Sequence, residues 1–300
     1  MAKMRDSLGP YRLVRLIRNG ATSQIWEAVE DASDNRVAIK LLKDNFKDDK
    51  EEIASLKNEF EVASSMNSPL VLKAFHHGVE NGIPHNVFEL ASETSFRNLV
   101  RMGVDAYGFM LQKMIQKSAE GLYYMHTKDW IHRDIKPDNF LVTREGDVKL
   151  IDYRIAEKKR TGLKAMFYKP KVQGTRSYMS PEQIRAKGID ERSDMYSYGC
   201  TLFELVTGKP PYTATSPTEL LNKHLTGQVV SPLAGNPNVS PEFSELIKKM
   251  MAKKKESRPA SMWEFLKELR AITLFKKSPR IPDVHPFDQL EKGEKGFGLD

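Results

Sequence analysis

At about residue 91 the sequence changes its periodicity, and that change restricts the folds open to the chain. Before it, short β-like runs alternate with turn residues: YRLVRLI, SQIWEAVE and, past the turn DASDN, RVAIKLL. A helical stretch follows, EEIASLKNEFEVASSM, with apolar residues three and four apart, and then two more strand-like runs, LVLKAF and HNVFEL. After residue 92 helical patterns take over. AYGFMLQKMIQKSAEGLYYMHT reads as one long helix. SDMYSYGCTLFELVTG stops at Gly208 ahead of Pro210 and Pro211, and SMWEFLKELRAI opens with Ser261 and Glu264 in a capping box. The expectation is an α+β chain of two lobes, a small sheet carrying one helix and a larger helical part, with a cleft between them as a ligand site. Residues 1–10 read as a lead-in, 11–91 as the small lobe and 92–272 as the large lobe. Residues 273–300, without periodicity, read as a tail or linker.

The bulk numbers exclude several classes. Over 300 residues, 40% hydrophobic and 29% charged content are ordinary for a globular chain. No apolar run approaches the roughly 18 residues that span a bilayer, and MAKMRDSLGPYR holds no apolar signal core, so the expected location is cytoplasmic. The single cysteine, Cys200, rules out an internal disulfide and sits in an apolar helical stretch, as a buried structural thiol does. Net charge is +7, and residues 154–176 alone hold eight Lys or Arg against Glu157, a net +7 in one segment. The charge thus belongs to one loop, and a nucleic-acid-binding face is not expected. Acidic residues beside a substrate's reacting group would suit such a loop.

The strongest chemical signal is IHRDIKPDNFLV. His132, Arg133, Asp134, Lys136, Pro137 and Asn139 stand in an order that chance would produce in only about one chain in 10⁵ of this length. The segment resembles the catalytic loop of eukaryotic-type Ser/Thr protein kinases, H-R-D-x-K-x-x-N, and with GTRSYMSPEQ and RSDMYSYGCTLFELVTGKPPY it looks closest to the bacterial members. The likeness covers roughly residues 11–272. It implies the two-lobed kinase fold, with an antiparallel small-lobe sheet, and transfer of the ATP γ-phosphate to Ser or Thr hydroxyls of a protein, including the chain's own activation segment by self-association. The implied cofactors are ATP and Mg2+, with Mn2+ as a substitute.

The resemblance also distributes roles. Asp134 would receive the hydroxyl proton, Lys136 would neutralise the moving phosphoryl group, and Asn139 and Asp152 would hold the metal. Lys40, in Val37-Ala38-Ile39-Lys40, would meet the phosphates, oriented by Glu59, with Glu61 as the competing partner. Ile17, Ile25 and Ala38 would lie above the adenine and Leu141 below it. The backbone near Glu89–Ala91 would bond its edge, with Phe88 behind. Gly20 would let the phosphates approach. Thr175 would bond Asp134 and Lys136, Glu182 would pair with Arg258, and Asp194 would anchor the loop backbone. A phosphate on Thr161 would order the activation segment through Arg133, unless Glu157 takes that arginine instead.

Two departures bear on activity. In the glycine-rich loop only Gly20 remains, with Arg18 and Ser23 in the outer positions. Asp-Phe-Gly is replaced by Asp152-Tyr153-Arg154. A non-glycine at 154 disfavours any conformer with positive φ by about 1 kcal/mol or more. All the ionisable catalytic residues are nevertheless present, so an active kinase is the first reading. A pseudokinase that regulates partners by conformation is the second.

Overall fold

The computed structural model describes residues 7–160, 168 and 170–293. Its small lobe is a six-stranded antiparallel sheet of order β1-β2-β3-β4-β6-β5, built from β1 (Ser7–Leu8), β2 (Tyr11–Asn19), β3 (Ser23–Glu30), β4 (Arg36–Leu42), β5 (Ala74–Glu80) and β6 (Ile83–Glu89). Alternation along β2 buries Tyr11 and Leu13 and exposes Arg12 and Val14, which fixes the register of the sheet face. One helix, α1 (Lys50–Ser64), packs on β5 and β6. Its N-cap Asp49 accepts from the amides of Glu51 and Glu52, and Leu56, Glu59, Val62 and Ala63 face inward.

The large lobe contains α2 (Phe96–Met102), α3 (Leu111–Thr127), the short α4 (Pro181–Ile184), α5 (Glu191–Thr207), α6 (Pro217–Thr226), α7 (Pro241–Met250), α8 (Met262–Arg270) and α9 (Pro286–Gly293). α5 is buried on every face from Ser193 to Val206 and forms the axis of this lobe, which is why its sequence lacks a polar stripe. Gly208 ends it with φ 76°, a left-handed cap that only glycine adopts freely. Cys200 is fully buried in α5, and burial pushes its thiol pKa up, as expected of an inert packing group. Among the described residues no helix is long and apolar enough to cross a membrane.

Two small antiparallel pairs lie at the junction of the lobes. Strands β7 (Trp130–Ile131) and β10 (Glu157–Lys158) pair, as do β8 (Phe140–Val142) and β9 (Val148–Leu150).

The structure differs from the sequence expectations in four places. LVLKAF is mostly not strand: β5 begins only at Ala74, and Val71 makes an isolated bridge to Leu150. The long helix expected from residue 106 starts at Leu111, after a separate short turn and a 3-10 turn around Gly108, where the Cβ of any other residue would come within 2.9 Å of Pro279. At α8 the hydroxyl of Ser261 caps the Glu264 amide, but the Glu264 carboxylate binds Lys267, so only half the capping box forms. Residues 274–290 pack despite their aperiodic sequence. Leu274 and Phe275 are buried, Phe287 and Leu290 lie against the core, and Arg144 pairs with Asp288 of α9.

One buried ion pair ties the large lobe together. Both Arg258 Nη atoms reach the Glu182 carboxylate at 2.6 and 3.0 Å, while Arg258 also donates to the carbonyls of Ala252 and Arg192. Removing one partner strands the other charge in the interior. Arg258→Met should therefore lower the unfolding free energy by about 3–5 kcal/mol, measured by urea denaturation, whereas a change under about 1 kcal/mol would show the pair to be dispensable.

Candidate active site

The site begins with a lysine that the sheet buries. Lys40 sits centrally in β4, opposite Ile25 on β3 and Asn86 on β6, and its ammonium emerges under the sheet with its side chain 10% exposed. Such a charge needs partners. The Glu59 carboxylate, from the inward face of α1, supplies both oxygens at 2.8 Å, and Asp152 Oδ1 stands 3.5 Å away. Glu61 instead pairs with Lys57 on the exposed face of α1, so Glu59 is the partner. Burial pushes Glu59 up, and the negative charge of Asp152 adds to that against the pull of Lys40. Burial would also raise Asp152, but Lys40, Arg154 and Lys136 outweigh it and hold its carboxyl well below the usual range.

The β8–β9 hairpin brings the two proposed metal ligands together. Asn139 immediately precedes β8, Asp152 follows β9 by two residues, and the Ile151 amide donates to the Asn139 carbonyl. Asp152 adopts φ 66°, which turns its carboxylate back into the cleft. Its Oδ1 is buried and, among the described residues, receives no hydrogen bond. An orphaned anionic oxygen beside an amide ligand suits a hard cation that completes its shell with phosphate and water.

The loop between β7 and β8 is held from beneath. Asp194 of α5 accepts from the amides of His132 and Arg133 at 2.8 Å each and from His126 Nε2 at 2.9 Å. Burial opposes the ionised form of Asp194, but His126 and His132 outweigh it and lower its pKa. Arg133 is thereby fixed at φ 70°. His132 Nδ1 accepts from the Asp134 amide, so Nε2 carries the proton it donates to the Ile151 carbonyl at 3.0 Å. At the mouth, Asp134 Oδ1 accepts from both the amide and hydroxyl of Thr175, each at 2.8 Å, and Oδ2 accepts from Lys136 Nζ at 2.7 Å. Lys136 also donates to the Thr175 hydroxyl, and Asn139 Nδ2 donates to the Asp134 carbonyl. A cavity of about 310 Å³ opens here, lined by Asp134, Lys136, Asp152, Arg154, Ile155, Gln173 and Gly174.

Tyr153 is fully buried against His132, with ring centroids 5.6 Å apart. Its hydroxyl donates to the Leu150 carbonyl and accepts from the Leu72 amide. Arg154 is not among the positive-φ residues, so the arginine carries no left-handed strain in this arrangement. It turns toward α1, with Nη2 at 3.5 Å from Glu52 and Nε at 3.3 Å from the Ser55 hydroxyl.

Ile17, Ile25, Ala38 and Leu141 are each partly buried around the cleft, with Phe88 buried behind them. Glu89 ends β6 and Ala91 begins the crossover. The Glu89 carboxylate accepts from the Lys73 amide and from Lys149, which rigidifies the crossover. Gly20 closes a tight turn onto the Ser23 carbonyl at 2.9 Å, while Arg18 points to solvent.

Arg133 is engaged by Glu157: the two form an ion pair, and Arg133 Nη2 also donates to the Lys171 carbonyl at 2.8 Å. The Tyr168 hydroxyl donates to the same Glu157 carboxylate at 2.8 Å. Thr161 lies outside the described residues. Much of the basic charge of this segment is spent inside the chain: Lys159 pairs with Glu191, Lys171 with Glu51 and Lys158 covers the Trp130 ring. That leaves less of it to select an acidic substrate.

Sequence reasoning missed two groups. Asn58 Nδ2 lies within 3.0–3.2 Å of three carbonyls, those of Tyr153, Arg154 and Ala156, an attachment invisible locally because the partners are some 95 residues apart. Arg97 of α2 joins Asp138, Glu204 and the Tyr178 hydroxyl, fastening the segment after Thr175 to α5. Nothing local singled it out, because α2 carries a second arginine, Arg101, and its partners are 41 to 107 residues away.

A protein kinase domain profile matches residues 11–269. Curated relatives include a probable serine/threonine-protein kinase PknB of Bifidobacterium longum, 29% identical over 86% of this chain and 39% of its own. A probable serine/threonine-protein kinase of Clostridium perfringens is 31% identical over 90% of this chain and 39% of its own. The serine/threonine-protein kinase PknH of Mycobacterium tuberculosis is 30% identical over 87% and 41%. The chain spans about two fifths of the length of these relatives.

The tyrosine at 153 gives a test of the hairpin's packing. Tyr153→Phe removes a buried hydroxyl with two backbone partners and should cost about 1–2 kcal/mol of stability in urea unfolding; no loss would mean the hydroxyl is incidental.

Proposed function

The chain belongs to the protein kinase domain family, and from that premise we propose that it is an active Ser/Thr protein kinase, transferring the γ-phosphate of ATP to protein hydroxyls in a divalent-metal-dependent reaction. The observation that carries this reading is the joint placement of Lys40, Glu59 and Asp152 in one cluster, with the hairpin linking Asp152 to Asn139 and Asp134. The Asp152 Oδ1 atom supports it as well: it receives no hydrogen bond among the described residues and meets Lys40 only at 3.5 Å, a position suited to a metal ion.

Asp134 would act at the acceptor. A carboxylate has about four acceptor positions; Thr175 and Lys136 take three by short contacts, and the fourth holds only the long 3.4 Å approach of Asn139 Nδ2, which the substrate hydroxyl would displace. As the hydroxyl oxygen bonds to the γ-phosphorus, the bond to the β–γ bridging oxygen breaks, ADP leaves, and Asp134 takes the hydroxyl proton. Lys136 balances charge on the moving group, and Lys40, aimed by Glu59, holds the α- and β-phosphates. Mg2+, or Mn2+ in its place, would be held by Asp152 and the Asn139 oxygen and would neutralise the phosphate oxygens. The adenine would lie among Ile17, Ile25, Ala38 and Leu141, bonded at Glu89 and Ala91, with the phosphates under the Gly20 turn. The Arg18 and Ser23 departures remove no catalytic group and should weaken nucleotide binding rather than chemistry.

The pairing of Arg133 with Glu157 supports a segment ordered by an internal carboxylate. Self-phosphorylation, Thr161 included, is then a product of activity and not its trigger. A cytoplasmic location and self-association for that transfer belong to the same proposal.

Two measurements test it. Transfer of label from ATP should need metal and fall at least ~100-fold in Asp134→Asn and Asp152→Ala. If the parent chain binds nucleotide but labels neither itself nor a protein substrate, the pseudokinase reading replaces this one. In the second, Glu157→Ala should lower the rate roughly tenfold by stranding the buried Arg133 charge, while Thr161→Ala leaves it unchanged. The opposite pattern would make Thr161 the switch.

A further inference from the structure

We propose that Arg154 is a positioning residue, the middle of a polar strap that runs from the glycine-loop turn through α1 to the start of the activation segment. The catalytic consequence rests on the kinase reading above; the mechanical one does not.

Glu52, Ser55, Asn58 and Glu59 recur at i, i+3, i+6 and i+7, so they share one face of α1. Glu59 at one end meets Lys40. At the other end Glu52 Oε2 accepts from the Thr22 hydroxyl at 2.8 Å and stands 3.5 Å from Arg154 Nη2. Between them the Ser55 hydroxyl accepts from Arg154 Nε at 3.3 Å and approaches the Arg154 carbonyl at 3.4 Å, while Asn58 gathers the carbonyls of Tyr153, Arg154 and Ala156. Swinging α1 outward would break the Lys40–Glu59 pair and this whole row together. A glycine at 154 would lack the side-chain part of the row and would loosen the backbone next to Asp152. The arginine does the reverse: it adds a cation facing Glu52 and, two residues beyond the positive-φ Asp152, needs no strained φ of its own. The helix and the metal-ligand aspartate are therefore held in register in this chain by a side chain, where a glycine leaves them free to part.

The test compares Arg154→Met, Glu52→Ala and the double variant in the full chain. Hydrogen exchange of the α1 amides, Lys50–Ser64, is read beside the kcat and the KM for ATP. Each single variant should speed exchange across α1 by about tenfold, the factor equivalent to about 1.4 kcal/mol, and the double variant should fall short of the product of the two, because the Arg154–Glu52 contact is common to both while the Ser55 and Thr22 bonds are not. In Arg154→Met the kcat should fall with the KM for ATP nearly unchanged, since Arg154 aligns groups without touching nucleotide, whereas Glu52→Ala, which also releases Thr22 beside the Gly20 turn, should raise the KM as well. Unchanged α1 exchange in both single variants overturns the proposal, as do losses that multiply in the double variant. If the parent chain transfers no phosphate but α1 loosens as described, the kinase reading fails and the strap stands.

Discussion

A buried ammonium between two carboxylates organises this molecule. Lys40 under the sheet, Glu59 on α1 and Asp152 after the β8–β9 hairpin come from three elements distant in sequence, and pairing offsets the cost of taking these charges out of water. The cluster carries one negative charge more than positive, and one oxygen of each carboxylate, Glu59 Oε2 and Asp152 Oδ1, is buried without a hydrogen bond among the described residues. Lys136 and Arg154 lower that cost at longer range. A divalent cation on a polyphosphate, the ligand of the proposed reaction, would lower it further.

The rest of the large lobe keeps this cluster and Asp134 at fixed separation. Asp194 on the buried α5 holds the loop backbone through two amides, and Thr175 and Lys136 close a ring on Asp134. The segment beyond Thr175 is fastened twice, by Arg258 on Glu182 and by Arg97 and Glu204 on Tyr178. At residue 154 and at the Arg133 site the chain places charged partners from its own sequence, Glu52 and Glu157. The fold is thus arranged to hold a working geometry more than to switch between two.

Much of this was legible in the sequence, and the division is physical. The two-lobed architecture followed from the change of periodicity near residue 91. Asp134, Lys136, Asn139 and Asp152 stood out because their chemistry depends on residue type and short spacing, which one sequence displays. The path of Arg154 was not legible: the sequence suggested only a lost glycine, whereas the outcome depends on Glu52 and Ser55 lying across the cleft and on positive φ falling at Asp152 instead. The competition between Glu157 and a phosphate for Arg133 was visible as a pair of alternatives; what was not legible is the β7–β10 pairing that sets Glu157 opposite Ile131 and brings it to Arg133. The stretch after Thr273 looked featureless because its anchors, Leu274, Phe275 and Phe287, are spaced by contacts with other elements and not by a helical or strand period.

The central claim is that the site is assembled before any phosphate is added to the chain. The most direct measurement is the time course of phosphate transfer to a protein acceptor by chain first treated with a phosphatase, which is then removed. A pre-assembled site predicts a linear start with no lag and an initial rate unaffected by prior incubation with Mg2+ and ATP. A lag that such preincubation abolishes would show that the geometry is completed by phosphorylation, and would contradict it.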